Sequence, residues 1–276
     1  MVFRSTSRNY TGEMVLMMTH KLNHTERETT VLKDINGNYL AYDETTFTSE
    51  LRAFLKRYND VLLKYEISHP LHHLSCFTYY VCNLGSWALG GNFYNDWQTI
   101  SLKGRSGILF NGMTTVEIDY SAVHPYLIYA EKGIPIPLTL DAFLSLLTPN
   151  SLKNESSNAA KLQRMFFLMI NSKSEREAFK LFGGAVSEAR PVLEAVKSQH
   201  SQIADEFCQD KGTQLVRRDA ELVRNVLEIF TQATKPILAI QNSFIVETSE
   251  NKFLASTIFN ALKQTNGSKL NFQANI

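Results

Sequence analysis

The sequence predicts an α+β protein: a small antiparallel sheet packed by helices inserted between its strands. Three observations predict it. A strand-period run begins near Thr114 and ends at Asp119, with Val116 and Ile118 alternating with Glu117 and Asp119. A second β-rich segment, "PILAIQNSFIVET", holds two apolar runs that meet at Gln241-Asn242-Ser243. Between them, apolar residues recur at helical spacing over 158–171, 187–208 and 214–233.

The elements follow in order. Residues 1–27 are polar and mixed, and read as a loosely held segment. "TTVLKDINGNYLAYDETT" has two β-rich runs around Asn36-Gly37-Asn38, a hairpin turn signal. After Thr48-Ser49, which read as an N-cap pair, Leu51, Phe54, Leu55, Tyr58, Val61, Leu62 and Tyr65 share one helical face. "SHPLHH" ends that helix, and an aromatic segment broken at Gly90-Gly91 leads to the mid-chain strand. Leu140 to Leu147 form a short apolar run ended by Pro149, and Gly183-Gly184 reads as a helix terminator. In 214–233 the stripe is Leu215, Leu222, Val223, Val226, Leu227, Ile229 and Phe230; a last helix carries Phe253, Leu254, Ile258 and Leu262. The predicted divisions are an N-terminal segment with a hairpin over 1–47, a helical and aromatic lead-in over 48–110, and the main α+β unit over 111–276.

Composition narrows the function classes. At 276 residues, 44% hydrophobic and 20% charged, the chain reads as soluble and globular, with room for a substantial core. A net charge of +1 argues against a bulk electrostatic grip on nucleic acid and leaves local patches as the means of one. The three cysteines never form a C-x-x-C pair, which suggests a reducing compartment and no zinc knuckle. The apolar run "MVLMM" is too short for a membrane span or signal core, so a cytoplasmic protein without membrane association is expected.

Three groups of residues carry candidate chemistry. Glu117 and Asp119 stand at i and i+2 of a strand, so their side chains leave the same face. If that face is buried, two carboxylates cost several kcal/mol unless paired or bound to a metal; if it is wet, they are solvated charge. The apolar hairpin "ILAIQNSFIV" sets Asn242 at a polar tip, a common feature that gains meaning only beside an acid-bearing strand. Lys161 and Arg164, three apart, share a helix face opposite Leu162, Met165, Phe166, Met169 and Ile170, either to hold phosphate or as a solvated face. His20 and His24, and the cluster His69, His72 and His73, are weaker metal candidates.

In order along the chain these pieces resemble family A DNA polymerases. "WQTIS…R…NGMTTVEIDYSAVHPYLIYAEKG" is similar to the stretch around that family's motif A, where a "QNIP…R" segment precedes a "DYS" strand. The likeness is closer to a group of phage and bacterial polymerase-like proteins that carry "GGRFY", "DYSGLHPRMLYA" and "IHDSFIV", against "GGNFY", "DYSAVHPYLIYA" and "IQNSFIV" here. "VLKDINGNYLAYDET" and "RYNDVLLKYEI" resemble that group as well, so the likeness covers most of residues 31–262.

The resemblance implies a right-hand polymerase-type palm with helical fingers-like insertions, carrying out template-directed nucleotidyl transfer with Mg²⁺ or Mn²⁺. Its partners would be nucleotide triphosphates and primer-template nucleic acid. Asp119 matches the metal-binding aspartate, with the Tyr120 carbonyl as a second ligand, and Lys161 matches the lysine that contacts the incoming triphosphate. Arg164 and Arg105 would contact phosphate or template. The departures fall on charged positions. Asn242 stands where motif C has its aspartate and Gln241 where it has histidine; Ser157 and Asn92 stand where arginines are expected. An amide oxygen can coordinate a metal but brings no charge. Either Glu117 substitutes as the second metal ligand or the activity is degenerate. The alternative function is an inert palm kept to bind nucleic acid or a protein partner, with Phe77, Tyr79, Tyr80, Trp87 and Trp97 as stacking surfaces.

Overall fold

The computed structural model describes residues 28–88, 91–120, 124–134, 158–241 and 243–267. The chain is α+β, as the sequence predicts, but the strands form two sheets rather than one. The first sheet contains β1 (Thr30–Lys33), β2 (Tyr39–Leu40), β4 (Tyr79–Cys82) and β5 (Asn92–Tyr94) in the order β2-β1-β4-β5. Its β1–β4 pair is parallel, which the sequence did not predict. The second is antiparallel throughout: β3 (Ile67–Ser68), β6 (Leu109–Phe110), β7 (Met113–Asp119), β8 (Leu238–Ile240) and β9 (Ser243–Glu247), in the order β3-β6-β7-β9-β8.

The β1–β2 hairpin turns where the sequence predicts. Gly37 takes φ +83°, and the Asp34 carboxylate accepts from the Asn36 and Asn38 backbone N–H groups, each at 2.8 Å. Helix α1 (Thr46–Leu62) starts earlier than the Thr48-Ser49 signal implied. Thr45 is the cap and Thr48 closes a reciprocal capping box, so two hydroxyl residues three apart share the orphan N–H groups. Its expected face is buried: Leu51, Phe54, Leu55, Tyr58 and Leu62 are all almost fully enclosed.

After a four-residue turn of helix, α2 (Leu102–Arg105), strand β7 leads into α3 (His124–Glu131). The helical region contains α4 (Asn158–Asn171), α5 (Glu175–Phe182), α6 (Val186–Gln199) and α7 (Gly212–Gln232), and α8 (Asn251–Gly267) closes the described chain. Helix α5 has no counterpart in the sequence reading because eight residues give little more than two turns of periodicity. Gly183 ends it with φ +80°, the expected terminator role. The predicted 187–208 helix divides in two: α6 gives way at His200 to a 3₁₀ segment, Ser201–Glu206. The apolar run at 140–147 lies outside the described residues, as do residues 1–27 with His20 and His24.

One hydrophobic cluster runs from Leu32 to Leu262 and includes residues of both sheets and of α1, α4, α7 and α8. Among the described residues, no helix is long and apolar enough to cross a membrane. Cys76, Cys82 and Cys208 are free thiols, the first two buried.

Candidate functional site

The site is built around the end of β7. This strand pairs along its length with β9, from Thr115 opposite Glu247 to Asp119 opposite Ser243. Ile118 and Tyr120 point into the core, so Glu117 and Asp119 share the other face. β8 and β9 close tightly, with Ile240 opposite Ser243. The Asp119 end of the strand therefore abuts the hairpin tip, although Asn242 itself lies outside the described residues.

Glu117 is not a solvated charge. Its carboxylate takes a two-pronged grip from Arg105, Nε to Oε2 at 2.8 Å and Nη2 to Oε1 at 2.9 Å. The Ser243 hydroxyl donates to Oε1 at 2.5 Å, and Arg105 Nη1 donates to the Ile100 carbonyl at 2.8 Å. Both side chains are nearly enclosed, 12% exposed for Arg105 and 9% for Glu117. Helix α2 has placed a guanidinium over the carboxylate, an internal satisfaction of the charge expected to seek a metal. The phosphate or template role expected of Arg105 meets the same obstacle, because its fork is engaged by Glu117 and Ile100.

Tyr120 fixes the tip from below. Its hydroxyl donates to the Gln241 carbonyl at 2.9 Å, and its ring stacks on Phe244 with centroids 4.8 Å apart. Burial pushes its phenol well above the ordinary range, and the Asp219 and Asp119 carboxylates reinforce the shift. Two carboxylates thus act on one buried ring, and one of them was not predicted. Asp219 lies on α7, and its Oδ1 is shielded from solvent. A sequence signal for it does exist: it falls four residues after Leu215 and three before Leu222, a carboxylate inside the apolar stripe.

Asp219 also lines a cavity of about 310 Å³ between α4, α7, the β5 entry and the hairpin tip. Asn92, Phe167, Asn171 and Gln241 share its wall. It thus joins the "GGNFY" segment, the α4 helix and the "IQNS" tip, three motifs separated by up to 150 residues in sequence. Gly91, at its rim, takes φ +125°, and a Cβ there would fall 1.8 Å from the Tyr80 hydroxyl. Tyr80 is buried and packed edge-on against Phe93, and a Cβ on Gly91 would also meet its ring carbons, so the whole ring would have to shift. Gly91→Ala is expected to cost about 2–4 kcal/mol from overpacking and backbone strain, read as a lower urea midpoint with unchanged slope.

The remaining predicted residues are scattered. Lys161 and Arg164 on α4 are both exposed, opposite buried Met165, Phe166, Met169 and Ile170. Arg164 leans on α5, with its guanidinium 5.4 Å above the Phe182 ring and Nη2 3.3 Å from the Leu181 carbonyl. Lys161 stands roughly 9 Å up the helix axis from Phe167 and the cavity. His69 has both ring nitrogens in use. Nδ1 accepts from the Leu71 N–H at 3.0 Å, so Nε2 carries the proton donated to the Gly104 carbonyl at 2.9 Å. Phe77, Tyr80 and Trp97 are buried and unavailable for stacking on a base. Among the described residues no group of three or more His, Cys, Asp or Glu side chains is placed to hold a metal.

Comparison of the chain with protein-family models, with curated proteins and with solved structures finds no match in any of the three.

Proposed function

We propose that the chain is a palm-type nucleotidyltransferase of the DNA polymerase kind, in which Asp119 is the principal metal-binding carboxylate. The observation that carries this reading is the pairing of β7 with the β8–β9 hairpin, which sets Asp119 opposite Ser243 at the tip. An acid at the end of one strand, beside a polar hairpin tip, suits hard divalent ions that accept oxygen donors. Mg²⁺ or Mn²⁺ would be held by Asp119, the Tyr120 carbonyl and the Asn242 amide, with substrate phosphates completing the shell. The ion, when bound, neutralises charge that develops in phosphoryl transfer. Glu117 serves differently: clamped by Arg105 and Ser243, it holds β7 and β9 in register at the site. Lys161, exposed on the first turn of α4, would be the residue that meets a triphosphate.

A second reading is favoured by the same clamp. With Glu117 committed and an amide at Asn242, the charge expected of a two-metal site is halved. An inert palm that binds nucleic acid or a partner would fit this. Primer extension with Mg²⁺ and with Mn²⁺ separates the two. Extension by the wild type that falls at least about a hundredfold in Asp119→Ala, the scale of removing one electrostatic element, supports the transferase. No extension by the wild type, with gain in Asn242→Asp, supports the degenerate palm. If neither nucleotide nor primer-template binds at low salt, both readings fail.

A further inference from the structure

A second cavity, of about 190 Å³, lies between α1, α7 and the first sheet, walled by Phe47, Leu51, Tyr80 and Phe93. Three charged side chains of α7 also line it: Arg217, Glu221 and Arg224. Two of them satisfy each other. Arg217 Nε donates to Glu221 Oε1 at 2.9 Å, its Nη1 donates to the Trp87 carbonyl, and its guanidinium lies 4.6 Å from the Phe47 ring centroid. That pair is neutral as a unit and already in use.

Arg224 is left over. On α7 the carboxylates within one turn of it are Glu221, three residues before, and Glu228, four residues after. Glu221 is taken by Arg217, and Glu228 turns to Arg57 of α1, 3.3 Å away. Among the described residues the half-buried Arg224 guanidinium has no ion pair or hydrogen bond, and it rests 5.7 Å from the centroid of the buried Phe54 ring. A ring face attracts the cation without engaging its N–H groups, so five donors in a planar fork stay available. Size and charge then select the occupant. The volume lies below the usual range of small-molecule sites, which limits the occupant to one compact group. A phosphate dianion would bring two negative charges to a single guanidinium beside the Glu221 carboxylate. A carboxylate brings one, and its two oxygens match the fork in a bidentate pair. A flat apolar body behind it would lie against Phe47, Tyr80 and Phe93.

We propose that this cavity binds a small aryl carboxylate, with Arg224 gripping the carboxylate and the aromatic walls covering the ring. The site is separate from the Asp119 end of β7, and the proposal goes beyond the transferase reading and needs no catalysis. One wall joins the two places. Phe93 and Ala220 line this cavity, while their chain neighbours Asn92 and Asp219 line the one beside the hairpin tip, so β5 and α7 stand between them.

Titration of the full chain with benzoate, benzamide and phenyl phosphate, followed by ligand-observed NMR, tests it without relying on a variant's folding. Benzoate is expected to saturate with a Kd on the order of 1 mM or tighter, the scale open to so few atoms. Benzamide, alike in shape but uncharged, is expected to bind about tenfold or more weakly, the worth of a hydrogen bond to a charged group. Arg224→Gln, with its fold checked by circular dichroism, is expected to remove the preference. Arg190→Gln, which takes an arginine from α6 instead, is expected to keep it. Equal affinity for benzoate and benzamide overturns the proposal, as does tighter binding of phenyl phosphate or no saturation by benzoate at about 10 mM. Full benzoate affinity in Arg224→Gln, or an equal loss in Arg190→Gln, overturns it too. Because the readout is binding, loss of primer extension alone leaves it standing, and failure here leaves the transferase reading standing.

Discussion

Arg105→Met is expected to destabilise the fold by about 3–5 kcal/mol, because it leaves the Glu117 carboxylate enclosed without its counter-charge. The pair is nearly buried, at 12% and 9% exposure, and bidentate, so solvent screening that reduces surface ion pairs to under about 1 kcal/mol does little here. The Ile100 carbonyl also loses its guanidinium donor. Arg105→Lys keeps the charge but cannot form both prongs and reach Ile100, so it is expected to cost about 1–2 kcal/mol. The double variant Arg105→Met with Glu117→Leu removes both charges, and most of the loss should return. Urea denaturation of the wild type, Arg105→Met, Glu117→Leu and the double variant gives a coupling energy. Additive single losses, each under about 1 kcal/mol, would mean the carboxylate is solvated as the simplest sequence reading allowed.

That pair shows where sequence reading reaches its limit. The i, i+2 spacing of Glu117 and Asp119 told that the two share a face, because the pleat has a fixed period. It could not tell that α2 turns Arg105 over one of them, since partners twelve residues apart meet only through the intervening turn. The β1–β2 and β8–β9 hairpins were legible from local turn chemistry at Asn36-Gly37-Asn38 and from apolar runs on either side of Gln241. The parallel join of β1 with β4 was not, because nothing local encodes a pairing across about fifty residues. Asp219 was legible in principle: a carboxylate in the apolar stripe of α7 is a mismatch with the helix period. The interruption of the stripe, more than its apolar members, carries the information.

Trp97→Ala is expected to cost about 3–5 kcal/mol, the range for emptying an aromatic core site, and the position of Trp97 explains why. β8 is the edge of the second sheet, and an edge leaves backbone groups without ladder partners. Here the lead-in region covers it. Trp97 Nε1 donates to the Ala239 carbonyl at 2.9 Å, Asn95 Nδ2 donates to the same oxygen at 3.0 Å, and the Tyr58 hydroxyl reaches the Ile237 carbonyl at 2.6 Å. The indole is fully buried and sits in the 3₁₀ turn Asp96–Thr99, which Asn95 caps through the Gln98 N–H. Trp97→Phe keeps most of the volume and leaves Asn95 on the carbonyl, so about 1 kcal/mol is expected. The gap between the two variants separates packing from hydrogen bonding. Since a domain's whole stability is about 5–15 kcal/mol, the alanine variant should lose much of it in urea denaturation. If Trp97→Phe proves as costly as Trp97→Ala, the Ala239 hydrogen bond outweighs the packing, and the edge cover depends on the donor rather than the ring.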